Sequence, residues 1–428
     1  MESIRYERLQ ESLFYEKLEN GLTVYVLPKP GFSKTYATFT TQFGSIDNHF
    51  QLEGKEDVQV PDGIAHFLEH KMFEEPEGDV FSKFASFGAS ANAFTSFERT
   101  AYLFSATDNI YESLETLVNF VQNPYFTDEN VEKEKGIIGQ EIKMYEDNPE
   151  WRSYFGLIEA MYKNHPVRID IAGTVETIAQ ISKETLYECY RTFYHPSNMI
   201  LFVVGGLEPE KVFDLVRANQ SSKAYLPQGE IKRLQPEEPA AVDQLEKITR
   251  LPVSLPKCYF GFKEPSGVPH GEEFVRRELG VKLMLDMLIG SSSSVYQTLY
   301  DETLISDSFG HEYSLSSYFG FSVFGGDTPD PNRLLARFRE LIEPIVEKGI
   351  DQADFDRVLR KRIGSYLRML NSPEAIAGEF TRYRFNGGDL FEVLPVYESL
   401  DLATINGLLR EHFDWSRLAV SLVKSEEV

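Results

Sequence analysis

The chain has 428 residues, an apolar fraction of 42% and a formal net charge of −24. That length exceeds one ordinary core and points to two domains, while 32 Phe and 22 Tyr exclude wholesale disorder. The acidity argues against nucleic-acid binding, which needs a basic face, and reads as a solubilising surface or as an acidic cavity suited to neutral or basic peptides.

The opening MESIRYERLQESLFYEKLENG is charged throughout and lacks the apolar stretch of a signal peptide. Residues 22–43 read as two strands about a Pro/Gly turn. GIAHFLEHKMF, residues 63–73, reads as a helix with Asp62 as its N-cap. A short helix follows around 79–87 and stops at Gly88. ASANAFTS and TAYLFSAT form a hairpin about SFER, since β-formers alternate on both sides of it. NIYESLETLVNFVQNP, TDENVEKEKGIIGQEIKMYEDNP and SKETLYECYRTFYHP are helices, each closed by or near a proline. NMILFVVGG is a buried strand. Its Met199–Val204 run is the longest strongly apolar one and falls far short of the roughly 18–20 residues of a membrane span.

Pattern is lost in the polar, Pro-bearing residues 221–250, which read as an interdomain linker. The second half begins again with a strand (KCYFGFKEP), a long helix (GEEFVRRELGVKLMLDMLIG) and a helix capped by SSSS. A strand pair (HEYSLSSYFGFSVFGG), a helix near 331–347, further helices and a closing strand (RLAVSLV) follow. This order echoes the first half. The expected fold is α+β, with two homologous domains, 1–220 and 251–428, each a mostly antiparallel sheet packed with helices. The two cysteines, Cys189 and Cys258, imply no disulfide framework and fit a reducing, cytoplasmic setting.

GIAHFLEHKMF carries the chemistry. His66 and His70 are four apart, so a helix stacks them on one face with Glu69 beside them. Such a pair can be a satisfied polar patch, but it also presents two corners of a zinc tetrahedron. HxxEH is a metallopeptidase signature, the HExxH order reversed, and a chance match is rare with only 8 His in the chain. In that reading a third protein ligand completes the site, the ion acidifies a water, and Glu69 is the general base. The third ligand should be another buried carboxylate. On a helical wheel of TDENVEKEKGIIGQEIKMYEDNP, Glu134 and Glu141 lie in the centre of the apolar stripe with Val131, Ile137, Ile138 and Tyr145. Lys133, Lys135, Gln140 and Lys143 turn away from it. Two acids there need a cation, strong donors such as Arg, or a solvated edge.

HFLEH, FASFGASANAFTSFERTAYLFSAT, EKEKGIIGQEIKMYEDNP and HPVRIDIAGTVETIAQISKETLYECYRTFYHPSNMILFVVGG occur in that order over about residues 20–210. Together they resemble the pitrilysin or insulinase family of zinc metallopeptidases, and the length resembles its short branch of bacterial processing proteases and the mitochondrial processing peptidase beta subunit. The resemblance implies half of a clamshell peptidase, in which two such chains enclose peptide substrates. It implies that His66, His70 and Glu141 ligate one Zn2+ per chain, that Glu69 is the base, and that Glu134 is an acid orienting the site from behind its ligands. ANAFT, comprising Ala91, Asn92, Ala93, Phe94 and Thr95, resembles the family's substrate-facing edge strand, with Asn92 either aimed at the scissile carbonyl or capping the strand.

One departure stands out. The family's active members carry an Arg and, seven residues later, a Tyr in the second half, where this chain has Tyr300 and Asp307, unless an insertion brings Phe309 into register. The expectation is therefore a zinc endopeptidase or oligopeptidase working as a heterodimer with a homologous chain that carries the pair, otherwise as a homodimer, with no nucleic-acid or membrane partner. The alternative is a non-catalytic scaffold subunit of a peptidase-like complex.

Overall fold

The computed structural model describes residues 1–76, 78–265 and 269–426. Strands β1 (Glu2–Tyr6), β2 (Glu11–Lys17), β3 (Thr23–Pro28) and β4 (Thr35–Thr41) open the chain. The short strands β5 (His49–Leu52) and β6 (Asp57–Gln59) precede helix α1 (Ile64–Lys71), and the two-residue strands β7 (Glu74–Glu75) and β8 (Gly78–Asp79) follow it. Helix α2 (Val80–Ser86), the hairpin β9 (Ser90–Thr95) and β10 (Thr100–Ala106), and helices α3 (Ile110–Val121) and α4 (Asp128–Glu146) come next. Beyond helix α5 (Pro149–Met161) and further helices lie β11 (Met199–Gly205), β12 (Ile231–Arg233), β13 (Glu246–Arg250), β14 (Lys257–Phe262), β15 (Gly310–Leu315), β16 (Gly320–Asp327) and β17 (Leu418–Lys424).

The fold is α+β, with two main sheets whose topologies correspond. The first runs β1-β2-β3-β11-β4-β10-β9 and the second β13-β17-β14-β16-β15. Each contains one parallel pair, β11 with β3 and β17 with β13, and every other pairing is antiparallel. Read from that pair outward, β3-β11-β4-β10-β9 and β13-β17-β14-β16-β15 have the same order and directions. Edge strand β15 is thus the second-half counterpart of β9. The two main sheets thus share one plan.

Two compact units form, and they interleave in sequence. One contains residues 1–142, 169–235 and 370–382; the other contains 143–168, 236–369 and 383–428. Within the second unit α5 packs on β13, β14 and β17, burying Phe155, Leu157, Ile158 and Met161. Within the first, Phe380 stacks on Phe202 at 4.4 Å and meets Tyr25 edge-on at 4.9 Å. The segment 221–250, without pattern as sequence, contributes β12 to the small sheet β12-β5-β6 and β13 to the second main sheet.

The first unit's core is made by alternate residues of the central strands, Val24, Val26, Phe39, Tyr102, Phe104 and Leu201, under α1, α2 and α3. α2 starts where the Asp79 carboxylate accepts from Ser82 N–H. The expected cap of α1 differs. Asp62 accepts from the Asn48 carboxamide at 2.8 Å, and the N-cap is Gly63 at φ +86 with no side-chain cap. A Cβ there would stand 2.3 Å from Ala172 O, so backbone crowding, not capping chemistry, sets this helix start.

Candidate metal centre

α1 is half sunk into the core. Ile64, Ala65, Phe67 and Leu68 are fully buried beneath it, and its other side carries His66, Glu69 and His70. The helical period places the two imidazoles one turn apart, with ring centroids 4.5 Å from each other. α4 presents Glu134 and Glu141 to them. Val131, Ile138 and Ile142 anchor that helix, so the acids are held where its apolar stripe meets α1.

The structure therefore brings His66, His70, Glu134 and Glu141 together. His66 Nε2 lies 3.7 Å from Glu141 Oε1, and His70 Nε2 lies 3.6 Å from Glu141 Oε2. One donor atom from each of the three residues fits within a 4.8 Å circle of mutual distances. The His–Glu separations exceed hydrogen-bond length. They approach the roughly 3.3 Å edge of a tetrahedron with ligand bonds of about 2.0–2.2 Å. His66 Nδ1 is buried and meets no hydrogen-bond partner among the described residues. The donor set of two imidazole nitrogens and one carboxylate oxygen suits zinc.

Electrostatics divides the two rings. Burial, then the neighbouring His70, pull the His66 pKa down to about 4, so it is neutral at physiological pH as a ligand must be. Burial also pulls on His70, but the hydrogen bond to Glu134 and the charges of Glu69, Glu134 and Glu141 outweigh it and raise this ring overall. Glu134 Oε1 stands 3.1 Å from His70 Nδ1, turning Nε2 toward Glu141. Burial opposes ionisation of Glu134, yet His70 and Lys71 bring its pKa below the usual carboxylate range.

Glu69 is 9% exposed and its carboxyl is pushed up, chiefly by burial. Thr95 Oγ1 donates to Glu69 Oε2 at 2.6 Å, which leaves Oε1 for another proton. Thr95 ends β9, whose outer side meets no further strand among the described residues. Of the other edge residues, Ala91 and Ala93 pack against the core, and Phe94 lies 5.6 Å beneath the Arg99 guanidinium. The Asn92 carboxamide oxygen accepts from Ala93 N–H at 2.9 Å. That is a local bond along the free edge, which engages the oxygen and leaves the NH2 group to donate.

Two roles escape sequence reasoning. Thr95 anchors Glu69, a contact across 26 positions. Lys71 sits next to His70 with none of its surface exposed; its ammonium meets Glu74 and, at 3.5 Å, Glu134. A lysine inside an apolar helical face is the signal that could have found it. Tyr300, in the second unit, is 44% exposed and stacks on Tyr296.

The fold is α+β and carries a His/Glu cluster that could hold a metal, and the comparisons give the family. Two family models match, "Insulinase (Peptidase family M16)" over residues 56–175 and "Peptidase M16 inactive domain" over residues 180–362. YmfH, an uncharacterized zinc protease of Bacillus subtilis (strain 168), is 53% identical over 425 residues, 98% of either chain. The crystal structure of an M16-like peptidase from Alicyclobacillus acidocaldarius matches with a TM-score of 0.94 at 40% identity, over 97% of this chain and 99% of that one. A protease from Helicobacter pylori shares the fold, with a TM-score of 0.82 at 21% identity over 96% and 99%. The chain belongs to the insulinase family of metallopeptidases, family M16.

Proposed function

We propose that this chain is a zinc-dependent endopeptidase or oligopeptidase acting on unfolded peptides or leader segments. The observation that carries the reading is the convergence of His66 Nε2, His70 Nε2 and the Glu141 carboxylate, whose two oxygens lie 3.7 and 3.6 Å from the two rings, with Glu69 on the same helix. When bound, the zinc ion supplies Lewis-acid polarisation of the scissile carbonyl and acidifies water.

The chain's own residues do the rest. Glu69 takes the proton of the attacking water on the oxygen that Thr95 leaves open and passes it to the departing amine; its raised pKa suits a group that must hold a proton between these steps. Glu134 fixes the tautomer of His70 by accepting from Nδ1–H. The free edge of β9 takes an extended peptide as an added strand, so backbone pairing rather than a deep side-chain pocket selects substrate.

Relatives named as zinc proteases support the metal. The buried free thiols Cys189 and Cys258 are consistent with a cytoplasmic site of action, and no described helix is long and apolar enough to cross a membrane. Tyr300 and Asp307 in place of an Arg/Tyr pair favour work with a homologous partner chain that supplies it. That substitution also favours a second reading, a scaffold subunit without its own turnover.

The decisive assay measures zinc content and quenched-peptide hydrolysis on the same preparations, with and without a copurified partner. Glu69→Gln is expected to keep the metal and lose about a hundredfold or more of the hydrolysis. Zinc binding without hydrolysis in any assembly would support the scaffold.

A further inference from the structure

Lys71 is the one residue of the α1 face whose type packing does not explain. Its chain neighbours Phe67, Leu68 and Met72 are buried and apolar, so an apolar residue would suit the helix face, but not the carboxylates at the end of its side chain. A buried ammonium costs several kcal/mol unless it is paired. Successive helix residues point about 100° apart, so Lys71 does not share the direction in which His70 presents its Nε2. It reaches the centre through Glu134 instead. That carboxylate is divided, with Oε1 on His70 Nδ1 at 3.1 Å and Oε2 facing Lys71 Nζ at 3.5 Å.

Charge gives the contact its purpose. Glu69, Glu134 and Glu141 bring three carboxylates to neighbouring positions around the imidazoles. A divalent ion balances two of them, and the Lys71 ammonium, shared between Glu134 and the more exposed Glu74, offsets the third. Without it, a buried negative charge is left over, and Glu134 loses the partner that holds its second oxygen.

We propose that Lys71 is a positioning residue for the metal centre, one that fixes and neutralises Glu134 so that Glu134 can orient His70 toward the ion. This rests on the metallopeptidase reading above. Lys71 touches neither substrate nor ion and acts only through Glu134.

The test is zinc affinity of the full chain, measured by chelator competition, in a double-mutant cycle of Lys71 and Glu134. Lys71→Met is expected to weaken zinc binding by about 10- to 100-fold, as loss of a group behind a ligand does. Lys71→Arg restores most of that loss. The double variant Lys71→Met/Glu134→Gln binds about as tightly as Glu134→Gln alone, a non-additivity that a purely structural lysine would not produce.

Lys71→Met within about twofold of wild type, or losses that multiply in the double variant, overturns the proposal. If Lys71→Met does not fold, Glu74→Gln decides: it leaves the ammonium to Glu134 alone and is expected to keep or tighten zinc binding. A loss of about tenfold there overturns the proposal. A wild-type chain that takes up no zinc sinks the peptidase reading and this inference together, whereas an unchanged Lys71→Met sinks only this one.

Discussion

At the residue scale the site depends on which carboxylate each imidazole nitrogen meets. Glu141 and Glu134 approach the same imidazole, but only Glu141 faces both Nε2 atoms. His70→Ala and Glu141→Ala should therefore lose the metal, read as zinc per chain after dialysis. Zinc retained in full by Glu141→Ala would assign the third ligand wrongly. These residues were legible because helical period alone puts His66 over His70 and sets Glu134 and Glu141 in an apolar stripe. Lys71 and the Thr95 anchor were not legible, because their meaning lies in partners supplied by other elements.

At the element scale the start of α1 is the most exacting point. Gly63→Ala puts a Cβ against Ala172 O at a positive φ. It should cost about 1–3 kcal/mol in denaturant unfolding and loosen zinc binding, since His66 lies within the first turn. Asp62 does not cap because its carboxylate accepts from Asn48 and the N-cap position falls on Gly63, partners that no capping pattern reveals. β9 offers a second test. Ala93 N–H is met by its neighbour's side chain, so Ala93→Pro removes a donor on the open edge. A peptide paired there should then show a KM raised by up to about tenfold, the worth of one hydrogen bond. An unchanged KM across several peptides would argue against strand addition at this edge.

Other elements were harder to read. β1 and β2 are an outer hairpin of mixed charged and apolar residues, which as sequence resembles a polar lead-in. β13 lies in a segment whose composition is that of a linker, and only its parallel pairing with β17 makes it a strand.

At the scale of the whole molecule, the α+β class and the doubled sheet plan follow from the order of strands and helices. The interleaving of the two units does not, because where α5 packs is decided by long-range burial. The second unit carries its own buried ion network. Glu264 is 2% exposed, and although burial alone would raise it, His412 and Arg277 bring its pKa down to about 2. Asp286 is likewise brought to about 2 by His311, Arg362 and Lys361 against the pull of burial. A carboxyl whose folded pKa is depressed stabilises above its unfolded value near 4 and loses that contribution as pH falls through the folded one. Stability should therefore drop between about pH 5 and pH 2, by roughly 3 kcal/mol per group. Glu264→Gln should flatten that slope in thermal melts, and an unaltered slope would mean that other groups govern acid unfolding.

The most direct measurement is an anomalous-scattering map at the zinc edge from crystals of the full chain. One peak is predicted, within about 2.3 Å of His66 Nε2, His70 Nε2 and a Glu141 oxygen. A zinc-loaded, folded protein with no peak there, or with its peak at other residues, would contradict the account.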